Sequence, residues 1–448
     1  MEEQNTTFEK VNSWVKHSIM LKLATITILM LLLLIPTSMI TSVIYERESL
    51  SLEAMNEVSS KWGGQQIITG PILTIPLVYE YFDKEKNTTY QNQVNWYILP
   101  EELNIKGDVT PEKLKRGIYE IAVYKSDLKL SGKFNFEKTF DQINLKQIKF
   151  NQAFITIGIK DLRGIKDHIN FNWNKEELTV KPGSKISDVV YAGMTINVPN
   201  VEEYINTDIP FDYTLKLQGS QNMSFIPLGS TTNVNLQSNW DTPSFDGSFL
   251  PDNREVTEAG FTADWKILNL NRNFPQSWTQ GEIKVPLESS LFGVNFLMPM
   301  DDYQKSTRSA KYAVMTIALT FLIFFLVEVL NGKKIHPFQY ALVGLALCLF
   351  YILLVSISEH SNFNFAYGLS AAGIVSMITL YSMSVFKAKK LTLLLVTTLS
   401  GIYGFLFVTL QLADYALLMG SIGLTVILAA TMYFTRNINW YKLNIETE

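Results

Sequence analysis

The side chains able to do chemistry are few and scattered. The only cysteine, Cys348, lies inside an apolar run, and between residues 46 and 308 the only histidine is His168, next to Asp167. A Ser/His/Asp triad there would have to be built on His168, and a zinc site would have to rest on carboxylates. Neither spacing is present. Asp241, Asp246 and Asp252 are oxygen ligands of the kind calcium takes, but they do not follow the EF-hand order. Gly63-Gly64 and Gly70-Pro71 lack the flanking pattern and lysine of a phosphate loop. Asn87-Thr88-Thr89 and Asn222-Met223-Ser224 are formal glycosylation sequons of a kind that arises by chance in a chain of this length. No catalytic residue, cofactor or metal is expected, and a periplasmic hydrolase is the least supported class.

The ionisable groups at the ends of long apolar runs carry more weight, because charge is costly at membrane depth. Glu359, His360, Asn362, Gln411 and Asp414 all belong on one side of the bilayer. They could form one outer polar patch, or simply cap helices at the water interface. Glu328 ends another run, where Lys333 or Lys334 is expected to pair with it at the inner surface.

These groups are placed by the hydrophobic runs. One apolar run covers Leu23–Ile44, and five more are packed between Ser309 and Phe434, each near the ~20 residues that cross a bilayer. Across the whole chain of 448 residues, net charge −4 and 47% hydrophobic residues average out a charged part and an almost uncharged part. No basic surface suggests nucleic acid. The first run is longer than a signal-peptide core and no small-x-small site precedes Glu46-Arg47-Glu48, so a retained helix is expected, kinked at Pro36.

The expected fold is a membrane α-helical bundle of six transmembrane helices plus a large mainly-β extracytoplasmic domain of sandwich-like type. Its parts are a cytoplasmic tail at 1–22, a first helix at 23–45, a periplasmic β-rich domain with a helical stalk at 46–308, five helices within 309–435 and a cytoplasmic tail at 436–448. The five spans are placed at about 312–330, 338–358, 363–386, 391–413 and 415–435. Lys10, Lys16 and Lys22, then Lys333 and Lys334, Lys387, Lys389 and Lys390, and Arg436 and Lys442 all fall on one side in this arrangement, which makes both termini cytoplasmic. Arg308 and Lys311 fall on the other side, where Asp301 and Asp302 are their nearest partners.

Within 46–308 the period changes to two. Leu128, Leu130, Phe134 and Phe136, then Tyr213, Leu215 and Leu217, Val234 and Leu236, and Phe261, Ala263, Trp265 and Ile267 alternate with polar residues, which predicts half-buried strands. Glu46 to Lys61 reads as a helical stalk ended by Gly63-Gly64, and Thr110-Pro111-Glu112 as the start of a short helix. A division into two β subdomains near residues 200–210 is left open.

Certain words recur in a fixed order: Gly70-Pro71 through Pro76, Ser238-Asn239-Trp240, Phe249-Leu250-Pro251, Gly260-Phe261 and Trp265, then Glu328, His336-Pro337, Gln339-Tyr340, Ser358-Glu359-His360 and Thr435-Arg436-Asn437-Ile438 before Trp440-Tyr441. This series resembles the inner-membrane protein CreD family, also called cell envelope integrity proteins, from the first helix to Tyr441. The resemblance implies a bacterial inner-membrane protein linked to envelope integrity and stress, with no established biochemical activity and no catalytic residues to carry over. Gly70, Pro71, Pro76, Asn239, Trp240, Pro251 and Trp265 are the family-like positions of the β domain. The expected partners are the lipid bilayer and a periplasmic protein, polymer or lipid. The alternative function is a transporter or lipid-handling protein with a path through the bundle.

Overall fold

The computed structural model describes residues 19–138, 140, 142–282, 284, 286–296, 301–331, 335–412 and 415–436. The chain forms two units, one of residues 1–51 and 299–448 and the other of Leu52–Met298.

The helical unit begins with α1, Ile19–Trp62, a single helix of 44 residues or about 66 Å that continues through Pro36 and contributes its last turns to the other unit. It is followed by α2 (Asp301–Lys311), α3 (Ala313–Asn331), α4 (Pro337–Ser358), α5 (Phe363–Phe386), α6 (Lys389–Gln411) and α7 (Ala416–Thr435). Helices α1, α4, α5 and α6 are each long and apolar enough to cross a membrane. A fifth span exists if α2 and α3, which meet at a 43° bend, count as one, and α7 offers a shorter apolar stretch, Leu418–Tyr433. Six spans of similar length were expected.

The helix α2 was also unforeseen. Its sequence is polar, yet Ser306, Ser309 and Ala310 are buried, so its 11 residues fold as an amphipathic helix of about three turns leading into α3. One core joins α1 to α3, α4, α5 and α6. Gly344 lets α1 and α4 approach closely: a Cβ there would stand 2.2 Å from Leu33 Cδ1. One turn further, Thr37 Oγ1 lies 3.8 Å from Cys348 Sγ.

The second unit is mainly β, in a 10-stranded and an 8-stranded sheet. All the alternating segments are strands, and their apolar positions are buried: Leu128 and Leu130 in Tyr119–Phe134, Tyr213 and Leu215 in Ile209–Ser220, Val234 in Thr231–Ser238, Trp265 in Gly260–Leu268. Both sheets contribute to one core, including Ile72 and Leu73 from one and Leu103 and Leu128 from the other. The strand Ile209–Ser220 pairs along its length with Tyr119–Phe134, so no division falls at residues 200–210.

The expected helix at Thr110-Pro111-Glu112 is replaced by strand Glu102–Arg116. This strand pairs on one side with Tyr119–Phe134 throughout, and on the other with Thr231–Ser238 only as far as Val109. Pro111 therefore sits where one edge has already lost its neighbour, the place where a residue without an N–H is tolerated in a sheet. Pairing over fifteen positions outweighed a local capping signal.

Candidate functional site

The two carboxylates singled out in the helical unit both bind α1. Glu328, in the last turn of α3, is 4% exposed and accepts three hydrogen bonds: from Lys22 Nζ at 2.7 Å, from the Ile335 N–H at 3.1 Å and from the Tyr340 hydroxyl at 3.1 Å. Three donors around one buried carboxylate meet the requirement for keeping a charge out of water. Phe321 and Phe324 pack on the Tyr340 ring, and Phe386 on Phe324. Lys333 and Lys334, the expected partners, lie outside the described residues.

Tyr340 is delivered by a helix start that its own sequence specifies. Pro337 occupies the first turn of α4, His336 Nδ1 accepts from the Phe338 N–H, and the His336 N–H donates to Gln339 Oε1. The residues around Tyr340 in the family-like series are thus the cap that aims it.

Glu359 follows α4 and its side chain is 10% exposed. It receives the Tyr303 hydroxyl of α2 at 3.1 Å and lies 3.8 Å from Arg47 Nε of α1. A carboxylate cannot bond the free carbonyls at a helix C-terminus and is disfavoured by the dipole there. Glu359 is the C-cap residue of α4, its N–H bonding the Val355 carbonyl at 3.1 Å, while its side chain is placed by Arg47 and Tyr303. The sequence marks Arg47 as the lone cation between Glu46 and Glu48, but gives no sign of which carboxylate it reaches.

The other members of the expected outer patch act locally. His360 is exposed, and Asn362 caps α5 by accepting from the Phe365 N–H at 2.9 Å. Gln411 donates to Asn364 across the α5–α6 pair. Asp414 lies outside the described residues.

Lys22 and Arg47 are about 38 Å apart along α1, close to the thickness of a bilayer with its interfaces. The two pairs therefore clamp the helix near both ends of its apolar length.

In the β unit five of the seven family-like residues, Gly70, Pro71, Pro76, Trp240 and Trp265, are packed into the fold. Gly70 has φ +117° and precedes a cis bond to Pro71, and a Cβ on it would stand 2.9 Å from the Thr156 carbonyl oxygen. Pro71 and Pro76 are buried in strand Gln66–Asp83, and the Pro76 carbonyl accepts from the Lys149 N–H. Trp240 is buried, donates to the Thr242 carbonyl and meets Phe296 edge-on. Trp265 donates to the Phe249 carbonyl and packs on Phe245 and Phe292. Asn239 is exposed and Pro251 half-buried. Asn239 lines an open cleft of about 520 Å3 with Asp108, Gln237 and Glu255.

The end of α1 is fixed within the β unit by a polar junction. Arg163 donates to the Ser60 carbonyl and to Asp161, Arg116 pairs with Glu57 at 2.9 Å, and Trp62 Nε1 donates to the Tyr124 carbonyl. Gly63 at φ +144° then lets the chain pass 2.8 Å from the Gln218 carbonyl oxygen, measured from where a Cβ would sit. The Arg163 guanidinium, with the Gly64 N–H, holds the Asp161 carboxyl down to about 2. Burial pushes the Tyr124 phenol well above its usual range. His168 is exposed beside Asp167, which pairs with Lys216. Asp246 and Asp252 bond backbone N–H groups and Asp241 bonds Thr242. Among the described residues no group of three or more His, Cys, Asp or Glu could hold a metal ion.

Apolar helices of membrane-crossing length, with the carboxylate of Glu328 buried among them, and a large two-sheet β unit define an integral membrane protein. The family model described as inner membrane protein CreD matches residues 18–441. The inner membrane protein CreD of Escherichia coli (strain K12) is 34% identical over 418 residues, covering 93% of this chain and 92% of that protein. The chain belongs to the CreD family of inner-membrane proteins.

Proposed function

We propose that the chain is a six-span inner-membrane protein with both termini in the cytoplasm, whose periplasmic, sandwich-like β unit supports cell-envelope integrity and the stress response. It does so without catalysis, by binding a protein, polymer or lipid of the envelope. The observation that carries this reading is the clamp on α1. Its Lys22 and Arg47 are held by Glu328 and Glu359, and its last turns are bonded into the β unit through Glu57, Ser60 and Trp62. Within the helical unit, a helix held by both Glu328 and Glu359 suits an anchor better than the rocking that alternating access needs. The six spans include the bent α2–α3 pair and the short α7, and the lysine-rich ends favour the inward orientation.

The test is crosslinking in intact cells. Tyr191 and Leu270 are 91% and 88% exposed, which makes them the natural sites for a photoreactive residue on the β unit. Discrete adducts with an envelope component are expected from a variant that still protects a deletion strain. A protecting variant that gives no adduct from either position, or from their neighbours, would remove the binding reading.

A further inference from the structure

In the β unit the strand Thr231–Ser238 runs between Glu102–Arg116 and Gly260–Leu268, and its last residue, Ser238, pairs with Val109 on one side and Phe261 on the other. There it leaves the sheet. The Ser238 hydroxyl accepts from the Trp240 N–H at 3.3 Å, which turns the chain, and Trp240 is buried, so the series Ser238-Asn239-Trp240 is what ends the strand. Glu102–Arg116 goes on for seven more residues, about 23 Å, with Tyr119–Phe134 on one edge and no strand on the other. Beyond the gap, the hairpin of Asn253–Thr257 with Gly260–Leu268 stays in place. The result is a slot one strand wide inside the sheet. The cleft of about 520 Å3 lies at its closed end, with Thr110 on one wall, Thr257 and Gly260 on the other and Asn239 between them.

The Thr231 N–H bonds the Glu101 carbonyl, and with the period of two along a strand the backbone groups of Pro111 and Lys113 face the same side, toward the slot. Outside the strand ladders they make no backbone hydrogen bond to the described residues. Proline and cations on a free edge also serve to turn strands away. Here, however, Lys113 Nζ lies 5.7 Å from the centre of the Trp240 ring, Lys115 pairs with Glu120 at 3.1 Å and Arg116 with Glu57 at 2.9 Å. The charges that line the cleft are the carboxylates of Asp108, which accepts from Gln237, and Glu255, with no cation among the lining residues. Width decides the kind of occupant. Neighbouring strands lie about 4.8 Å apart, so the place of one missing strand admits an extended chain but not a helix about 10–12 Å across.

We propose that this slot takes an extended segment of an envelope polypeptide, which pairs with the backbone of Pro111 and Lys113 as the missing continuation of Thr231–Ser238 and sets basic side chains beside Asp108 and Glu255. This inference rests on the reading that the β unit binds an envelope component, and it commits that component to be a polypeptide.

The test uses the full-length protein in detergent and a fluorescent decapeptide of alternating threonine and lysine, with hydrogen exchange followed on the amides of residues 110–116. The peptide should bind saturably and protect the Lys113 amide. Of its two alternately N-methylated forms, the one whose methyl groups fall on the paired edge should bind at least tenfold more weakly, and so should the peptide with glutamate in place of lysine. Glu255→Lys, on a strand exposed along its length, should weaken the lysine peptide by a similar factor without moving the melting midpoint. Lys113→Pro, which removes a slot-facing N–H, should do the same. If that variant melts early, Glu255→Lys and the N-methylated peptides decide. Absence of saturable binding overturns the proposal, as does binding that neither N-methylation nor Glu255→Lys weakens. Protection of the same amides by N-acetylglucosamine oligomers and not by peptide would assign the slot to glycan and also overturn it. Adducts formed in cells from Tyr191 or Leu270, with no peptide bound here, would leave the broader binding reading standing and remove only this slot.

Discussion

The Lys22 ammonium and the Glu328 carboxylate stand 2.7 Å apart although 306 positions separate them in the chain. Lys22 is one-third exposed and Glu328 almost wholly buried, so the lysine reaches in from the rim while the carboxylate pays the desolvation. Lys22→Met leaves that carboxylate with two donors and no cation, and is expected to cost about 1–3 kcal/mol. Adding Glu328→Gln should recover most of the loss, because the uncompensated charge is then gone. Melting of the purified protein in detergent checks both steps, and a single variant as stable as the wild type would contradict the clamp.

At the other end of α1 the pair is weaker. Arg47 is nearly half exposed and 3.8 Å from Glu359, so Glu359→Gln, which keeps an acceptor for Tyr303, should cost at most about 1 kcal/mol. Complementation of a deletion strain under detergent stress, with membrane abundance measured in parallel, should show protection retained. Protection lost at normal abundance would mean that the charge itself works.

Orientation can be read by labelling. In a Cys348→Ser background, a cysteine at Asn331 should resist a membrane-impermeant thiol reagent in spheroplasts and one at Asp83 should react. Labelling at both positions is incompatible with the proposed topology.

In the β unit, the lowered Asp161 gives a pH signature. Arg163 and the Gly64 N–H stabilise the carboxylate in the folded state, so its pKa of about 2 lies below the unfolded value of ~3.9. The contribution is present above the unfolded value and is lost as pH falls through the folded one. Asp161→Asn should therefore lower stability by about 1–2 kcal/mol at pH 7, with the difference shrinking between about pH 4 and pH 2. A difference that stays constant over that window would assign the effect to shape rather than charge.

The chain has one cysteine, and that lies in α4, so the β unit is held without a disulfide. Its melting midpoint should not move with reductant, and the same is expected with chelator. A fall of many degrees in chelator would reveal a metal site.

Local periodicity made much of this protein legible. The apolar runs at Leu23–Ile44 and beyond Ser309 mark helices because a bilayer demands an uninterrupted apolar length, and the alternation of Phe261, Ala263, Trp265 and Ile267 marks a strand because one face is buried. The ordered words around Gly70-Pro71, Trp240 and His336-Pro337 were enough to place the family. Both kinds of signal lie among residues close together in the chain.

Tertiary structure decided the rest. Thr110-Pro111-Glu112 reads as a helix start until fifteen residues pair with a neighbouring strand, and the charges of Asp301–Lys311 give no sign of the helical face on which Ser306 and Ser309 are buried. Glu328 was visible as a costly charge, but nothing near it in the chain points to Lys22, which the packing of α1 brings to it. Composition records that a buried carboxylate needs a cation. Which cation arrives depends on which helices touch, and that is fixed by the shapes of side chains such as Leu33 on Gly344, far apart in the chain and in contact only in the folded molecule.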